Sequence, residues 1–273
     1  METCKICKKT CHPLFNSTVL EKYQVSYFQC QSCKFIQTEK PYWLDEAYSS
    51  AIGRLDIGLL YRNSEFCQIL PSILDKFTTT KDSYLDYGGG YGVFVRMMRD
   101  RGYDFYLYDK YCENLFADFF NLSDYGSKRF AALTAFEVFE HLVDPIQEIF
   151  KMFEFSDVII FSTEIQPDIN FKSDQDWWYF VPFGGQHVAL YTVNSLKQIA
   201  SLFECKLYTN SQNLHVLSKL SMDDPFEQKR PESFFDRASR FVKSKLSSPP
   251  AVSGQRKSLL STDFELVKSR LKL

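Results

Sequence analysis

The chain has 273 residues, 45% of them hydrophobic and 16% aromatic, and it carries a formal charge of −2. That apolar content excludes disorder over most of the length and is enough for one sizeable α/β domain plus a small accessory unit. With 32 basic against 34 acidic residues there is no cationic excess for gripping nucleic acid by counterion release, so no nucleic-acid partner is expected.

Residues 1–40 carry Cys4-x-x-Cys7 and Cys30-x-x-Cys33, two identical pairs with 22 residues between them. The β-type runs around Val25, Tyr27 and Phe28 to Cys30, then Phe35 and Ile36, predict short strands between and after the pairs. Zinc takes four soft ligands in a tetrahedron, and two such knuckles supply them. Cys4, Cys7, Cys30 and Cys33 are therefore read as ligands of one structural zinc in a small N-terminal zinc ribbon. Cys11 and His12 are alternative ligands, and a redox role is the alternative chemistry. Lys8 and Lys34 stand where a glycine commonly follows the second cysteine of a knuckle. The N-terminus shows no apolar signal-peptide core, and the run Val158 to Phe161 is too short to span a bilayer. The expectation is a cytoplasmic protein without a transmembrane segment, whose thiols stay reduced.

Residues 41–80 read as a helical linker. Phe66, Ile69, Leu70, Ile73, Leu74 and Phe77 fall at helical spacing, with Pro71 expected to bend or restart the helix. From 81 to 220, strand-like runs (Ser83 to Asp86, Phe105 to Tyr108, Ala131 to Thr134, Val158 to Phe161) alternate with helical ones (Val93 to Arg101, Pro145 to Phe153, Ser195 to Phe203). Cys205 to Tyr208 and Leu214 to Leu217 close the pattern as two more strands. This order predicts a Rossmann-like, mostly parallel sheet with helices on both faces. Residues 221–273 form a basic, partly helical tail of charge +4, from 11 basic and 7 acidic residues. Phe234, Phe235, Ala238, Phe241 and Val242 make an apolar stripe over 231–246. It suits packing on the domain or on a second subunit, or weak contact with an anionic membrane surface. Thr262-x-x-Glu265 resembles a capping box for a terminal helix.

The chemistry concentrates after the first strand of the central region. Asp86-Tyr87-Gly88-Gly89-Gly90-Tyr91-Gly92 lies between that strand and a helix, where glycines let the backbone turn sharply and approach a ligand. Val93 breaks the dinucleotide fingerprint, so no pyrophosphate is implied. Asp109 ends the next strand, 21 residues after Gly88, where a carboxylate can accept hydrogen bonds from two ribose hydroxyls. Thr134-Ala135-Phe136-Glu137-Val138-Phe139-Glu140-His141-Leu142 follows the third strand of this region, and Asp176-Trp177-Trp178-Tyr179-Phe180 precedes Gly184-Gly185-Gln186-His187.

These residues resemble the class I S-adenosylmethionine-dependent methyltransferases over roughly residues 80–220. Leu85 to Gly92 matches the family's first motif, Asp109 its ribose-binding acid, and the 134–142 segment with Asp144-Pro145 an E-x-x-E-H signature of one subgroup. The resemblance implies a seven-stranded sheet whose last hairpin is antiparallel. It implies a cofactor held near Asp86, Gly88, Gly90 and Gly92, with Asp109 on the ribose and Phe136 and Glu137 alongside. The cysteine region resembles zinc-ribbon heads fused to bacterial sugar-modifying and some ribosomal RNA methyltransferases. His187 resembles the base of deoxysugar C-methyltransferases, with Gln186 in place of their Glu. The resemblance also implies that the aromatic run Trp177 to Phe180 lines the acceptor pocket, where stacked rings suit a sugar.

The expected activity is methyl transfer from S-adenosylmethionine to a small acceptor, a nucleotide-linked or polysaccharide sugar, with a histidine as general base. His187 is the first candidate, with His141 and Glu140 next. An RNA methyltransferase and a non-catalytic cofactor-binding module are the alternatives. Composition leaves the oligomeric state open.

Overall fold

The structure, a computed structural model, describes residues 2–49, 56–126, 129–227 and 256–272. Two sheets organise them. The larger is built from β5 (Ser83–Tyr87), β6 (Asp104–Tyr108), β7 (Ala132–Ala135), β8 (Val158–Ser162), β10 (Lys206–Thr209) and β11 (Leu214–Ser218). Its strand order is β10-β11-β8-β7-β5-β6. The pairs β6–β5, β5–β7 and β7–β8 are parallel, while β8–β11 and β11–β10 are antiparallel. Every residue of β7, β8 and β11 is buried, as strands covered on both faces must be.

Six strands are seen among the described residues where seven were expected. Between β6 and β7 the chain satisfies its backbone locally instead of extending the sheet. Asn114 accepts from the Ala117 amide and donates to its carbonyl, and Asn121 caps the turn Leu122–Asp124. Only a single parallel bridge, Leu107 to Asn121, forms at the free edge of β6.

The helices follow the sequence closely. α1 (Leu44–Ala47) is a single turn, and α2 (Leu59–Leu74) runs through Pro71 without interruption, because the proline sits in its last turn. α3 (Val93–Asp100) ends as Gly102 turns left-handed at φ 86°. α4 (Pro145–Phe155) has Pro145 at its start and Asp144 accepting from the Gln147 amide, and α5 (Val193–Leu202) opens on a reciprocal Thr192–Ser195 cap.

The smaller sheet is antiparallel, β1 (Glu2–Thr3), β2 (Thr10–Val19), β3 (Tyr23–Cys30), β4 (Ile36–Thr38) and β9 (Ala189–Leu190), in that order. Instead of short strands between the cysteines, β2 and β3 form one long hairpin of 10 and 8 residues. Its last strand comes from the segment after β8, with Ile36 opposite Leu190 and Gln37 opposite Ala189. Trp177, Tyr179 and Phe180 are buried against Val25, Tyr27, Ile36 and Trp43. The aromatic segment expected to line an acceptor pocket is therefore largely the core of this second sheet, and Trp178 is the one of the four that remains exposed.

The helical expectation over 231–246 lies outside the described residues. Residues 256–272 do pack on the larger sheet's side. α6 (Leu260–Arg270) begins two residues before Thr262, so Thr262 is inside the helix and caps nothing. Its Asp263 is buried against Arg99 of α3. No helix among the described residues is long and apolar enough to cross a membrane.

Candidate functional site

A cleft of about 1460 Å³ opens at the carboxyl ends of the parallel strands, the place an open α/β sheet reserves for ligands. Asp86, Gly88, Gly90, Asp109, Phe136, Glu137, Glu140, His141 and His187 all line it. Residues spread from 86 to 187 are thus brought to one hollow by four different strands and the connections after them.

The glycine turn forms one wall. Gly88 and Gly90 are left-handed at φ 72° and 61°, and Gly92 at φ 85° precedes α3. A side chain on Gly88 would strike Val138, whereas one on Gly90 would project into open space, so Gly90 leaves the cleft room. Gly92 packs instead against Asn114 and Ala117, away from the cleft's lining. The Gly88 amide donates to the Tyr108 carbonyl at 2.7 Å, tying the turn to β6. Asp86 is buried, accepts from the Thr134 hydroxyl at 2.6 Å and supports Gly89. Burial pushes its carboxyl up to about 7, against the lowering effect of Thr134.

Asp109 does more than the sequence suggests. One oxygen accepts from the Gly90 amide at 2.9 Å, and the other from Tyr111 and Cys112 at 2.7 and 2.8 Å. Three of a carboxylate's roughly four lone-pair positions are thus taken by backbone. Two ribose hydroxyls would share the remaining position or displace an amide. Asp109 is the clasp of the turn as well as a ribose acceptor candidate.

Phe136 stacks on Phe66 of α2, with centroids 4.0 Å apart. Glu137 holds a left-handed φ of 56°, a conformation that costs energy for a residue with a Cβ. Its amide donates to Ser162, the Ser162 hydroxyl donates back to its carboxylate, and Arg62 lies 3.3 Å from its other oxygen. Arg62, Phe66 and Tyr48 belong to the stretch read as a linker, which in fact closes one side of the cleft. The helical apolar spacing marked α2, but nothing local in the sequence showed which face met the site.

The same cleft is lined by Glu140, His141 and His187. The His141 and His187 rings meet edge to face at 5.0 Å. Nδ1 of His187 is 2.6 Å from the Tyr179 carbonyl oxygen, to which it must donate, leaving Nε2 with its lone pair. Nδ1 of His141 pairs with the Tyr48 hydroxyl at 3.2 Å, and Tyr48 stacks on Tyr111. Burial pushes His187 down to about 4 and, with His187 beside it, His141 down to about 3, so both are neutral near pH 7. Glu140 is fully buried and neither carboxyl oxygen has a hydrogen-bond partner. Burial, with Glu137 nearby, raises its carboxyl to about 8. The Val188 amide donates to the Glu140 carbonyl at 2.9 Å, which joins the two segments.

Away from the cleft, the Sγ atoms of Cys4, Cys7, Cys30 and Cys33 all lie within 4.8 Å of one another. Cys4–Cys33 and Cys7–Cys30 are 3.6 and 3.4 Å apart. A tetrahedron with Zn–S of about 2.3 Å has edges of roughly 3.7 Å, so the four sulfurs fit the ion. The Cys33 thiol holds Cys4 down to about 5, a step toward the thiolate zinc requires. Lys8 and Lys34 adopt the left-handed φ of 60° and 62° that glycine would provide, each donating its amide to the first cysteine of its knuckle. Cys11 is buried nearby but is not in the set, and neither is His12. Thr192 at the start of α5 donates to the Cys33 carbonyl at 2.7 Å.

Among solved structures, the chain is similar to CalO1, a methyltransferase of calicheamicin biosynthesis bound to SAH, at 13% identity and TM-score 0.43. It is also similar to NcsB1, an O-methyltransferase of neocarzinostatin biosynthesis in complex with S-adenosylmethionine and 2-hydroxy-5-methyl naphthoic acid, at 9% identity and TM-score 0.43. Each match covers 65% of this chain and 61% of the other, so the chain spans about three fifths of these structures' length. An O-methyltransferase family 2 protein from Planctomyces limnophilus in complex with apigenin matches at 9% identity and TM-score 0.40, covering 64% of this chain and 66% of that one. No curated protein matches the sequence. A family model described as a methyltransferase domain matches residues 59–210, which run from α2 through β10 and carry both walls of the cleft. The chain belongs to this methyltransferase-domain family.

Proposed function

We propose that the protein transfers a methyl group from S-adenosylmethionine to a small acceptor, a nucleotide-linked or polysaccharide sugar. One observation carries the reading: a single cleft joins a glycine turn clasped by a strand-end aspartate to a cluster of two histidines and a glutamate. When bound, S-adenosylmethionine supplies a sulfonium methyl that is already a strong electrophile. Gly88 and Gly90 leave its approach open, Asp109 holds the ribose, Asp86, Phe136 and Glu137 shape the surround, and Gly92 turns the chain into α3 behind them. The protein's task is then alignment and removal of the acceptor's proton. That task falls to His187, whose Nε2 is unengaged, with His141 and Glu140 beside it. The exposed rings of Trp178 and Phe183 at the rim suit the faces of a sugar.

Residues 81–220 would hold the cofactor, 1–40 a structural zinc ribbon, 41–80 the cleft's helical flank and 221–273 an accessory tail. A thiolate-held zinc fits the reducing cytoplasm. The test is calorimetry with S-adenosylmethionine, followed by labelled-methyl transfer to a panel of sugar nucleotides, phenols and structured RNA. Saturable donor binding with transfer to a sugar supports the proposal. Absence of donor binding overturns it, and transfer only to another class overturns the acceptor.

A further inference from the structure

Glu140, His141 and His187 have the makings of a second metal centre. One ligand atom from each side chain lies within 4.8 Å of the other two, close enough to share one ion. Nε2 of His141 is 3.9 Å from a Glu140 oxygen, too far for a hydrogen bond and suited to an atom between them. Both oxygens of Glu140 are buried without a partner, which is costly for a carboxyl group unless something else satisfies them. The buried hydroxyls of Tyr179 and Thr163 face the Glu140 carboxyl and act to hold its pKa down, but neither closes to full hydrogen-bond geometry. Each histidine has its Nδ1 fixed by a protein oxygen, Tyr48 Oη for His141 and the Tyr179 carbonyl for His187. A second hydrogen bond of that kind is what holds metal-ligating histidines in the required tautomer and orientation.

We infer that Glu140, His141 and His187 bind a divalent transition-metal ion at the acceptor side of the cleft. Two imidazoles and one carboxylate suit zinc, iron(II) or manganese(II), and leave coordination positions for a substrate oxygen. The inference rests on the proposed methyl transfer only in what the ion would do there. An acceptor hydroxyl coordinated to the ion loses its proton to solvent water more readily. Its oxygen then forms the bond to the methyl carbon as the carbon–sulfur bond breaks, with the electron pair staying on sulfur. In the loaded protein Nε2 of His187 is a ligand and not the base, so the ion lowers the barrier to deprotonation and solvent water takes the proton. His187 acts as the base only where the ion is absent.

The test is titration of metal-free, reduced full-length protein with cobalt(II), read by absorption. Cobalt on the four cysteines gives an intense thiolate charge-transfer band, and cobalt on two histidines and a carboxylate gives only weak ligand-field bands. The expected result is about two equivalents per chain, one of each type. Glu140→Gln and His187→Ala should lose the weak-band equivalent and keep the thiolate one, which doubles as a check that each variant is folded. Tyr48→Phe, which removes the partner of a ligand, should weaken the second equivalent by about 10–100-fold. Wild-type protein showing thiolate-type cobalt alone overturns the inference, as does retention of the weak-band equivalent in Glu140→Gln. Neither donor nor acceptor enters this measurement, so its failure is separate from a failure to bind S-adenosylmethionine or transfer methyl.

Discussion

Asp263 of α6 grips Arg99 of α3 through two parallel hydrogen bonds, Nε to Oδ2 at 2.8 Å and Nη2 to Oδ1 at 2.9 Å, and both residues are buried. Arg99 also donates to Asp104 and to the Phe105 carbonyl, so the terminal helix is fastened to the helix after the glycine turn and to β6. Asp263→Ala would leave a buried guanidinium short of its main partner. The expected loss is about 3–5 kcal/mol of stability, the range for breaking a buried ion pair from one side. Urea unfolding would measure it. Truncation before residue 256 should be at least as damaging, so a tail removed wholesale is not neutral.

Asp109→Ala should weaken S-adenosylmethionine binding by about 10–150-fold, equivalent to about 1.5–3 kcal/mol for a hydrogen-bonded charge. The same change frees the Gly90 amide, so part of the loss comes from a looser turn. Calorimetry with unchanged affinity would remove Asp109 from the cofactor site.

Elemental analysis should find zinc held by Cys4, Cys7, Cys30 and Cys33. The double variant Cys4→Ser with Cys7→Ser should no longer retain zinc at the ribbon. Because β4 pairs with β9, two residues after His187, methyl transfer should suffer more than cofactor binding. Equal losses in both would show that the ribbon supports the whole fold and not the acceptor side.

His187→Ala should leave S-adenosylmethionine affinity nearly intact while transfer falls by about 10²–10⁴-fold. The measurement is single-turnover transfer with saturating donor. Transfer at the wild-type rate would take His187 out of the chemistry.

His215 is buried on β11, between the Thr209 hydroxyl at 2.7 Å and the Thr163 carbonyl at 3.0 Å. Burial pushes it down to about 4 from the ordinary 6.5. The unfolded chain therefore takes up this proton first as pH falls, and stability drops between about pH 6.5 and 4. His215→Gln should flatten that acid limb relative to wild type in urea melts at a series of pH values. Asp86 and Glu140 act in the opposite sense over much of the window, since the folded state keeps their protons longer. They do so in both proteins, so the difference isolates His215. An unchanged slope would mean that the folded state already admits the proton.

The parallel core was legible because its signals are local. A strand, Gly88 to Gly92, a helix and Asp109 occupy one short stretch, and the structure keeps them adjacent. The smaller sheet was only half legible. Val25, Tyr27 and Ile36 announced strands, but Ala189 and Leu190 are two residues in a coil-like stretch, and only their partner Ile36–Gln37 makes them a strand. The same limit hid Tyr48, which reaches His141 across 93 positions. It also hid which rings of the aromatic segment turn away from the cleft, Trp177 and Phe180 into the second sheet's core while Trp178 and Tyr179 line it. An amphipathic ring such as Trp177 suits a core as well as a pocket, and only tertiary neighbours decide between them.

The pairing of β4 with β9 also fixes an order of events for a chain made from its N-terminus. Once residues 1–40 have emerged, β1 to β4 can pair and bring Cys4, Cys7, Cys30 and Cys33 together, yet β4 presents an open edge. Its partner strand follows only after about 150 more residues. Until then that edge is a template for any extended segment, including β4 of another nascent chain. Such a sheet can be neither cut out as a fragment nor grafted to another protein without exposing one half of this pair. The protein should therefore refold poorly at high concentration, and a short peptide spanning 186–192, supplied in trans, should raise the yield of an isolated 1–40 fragment.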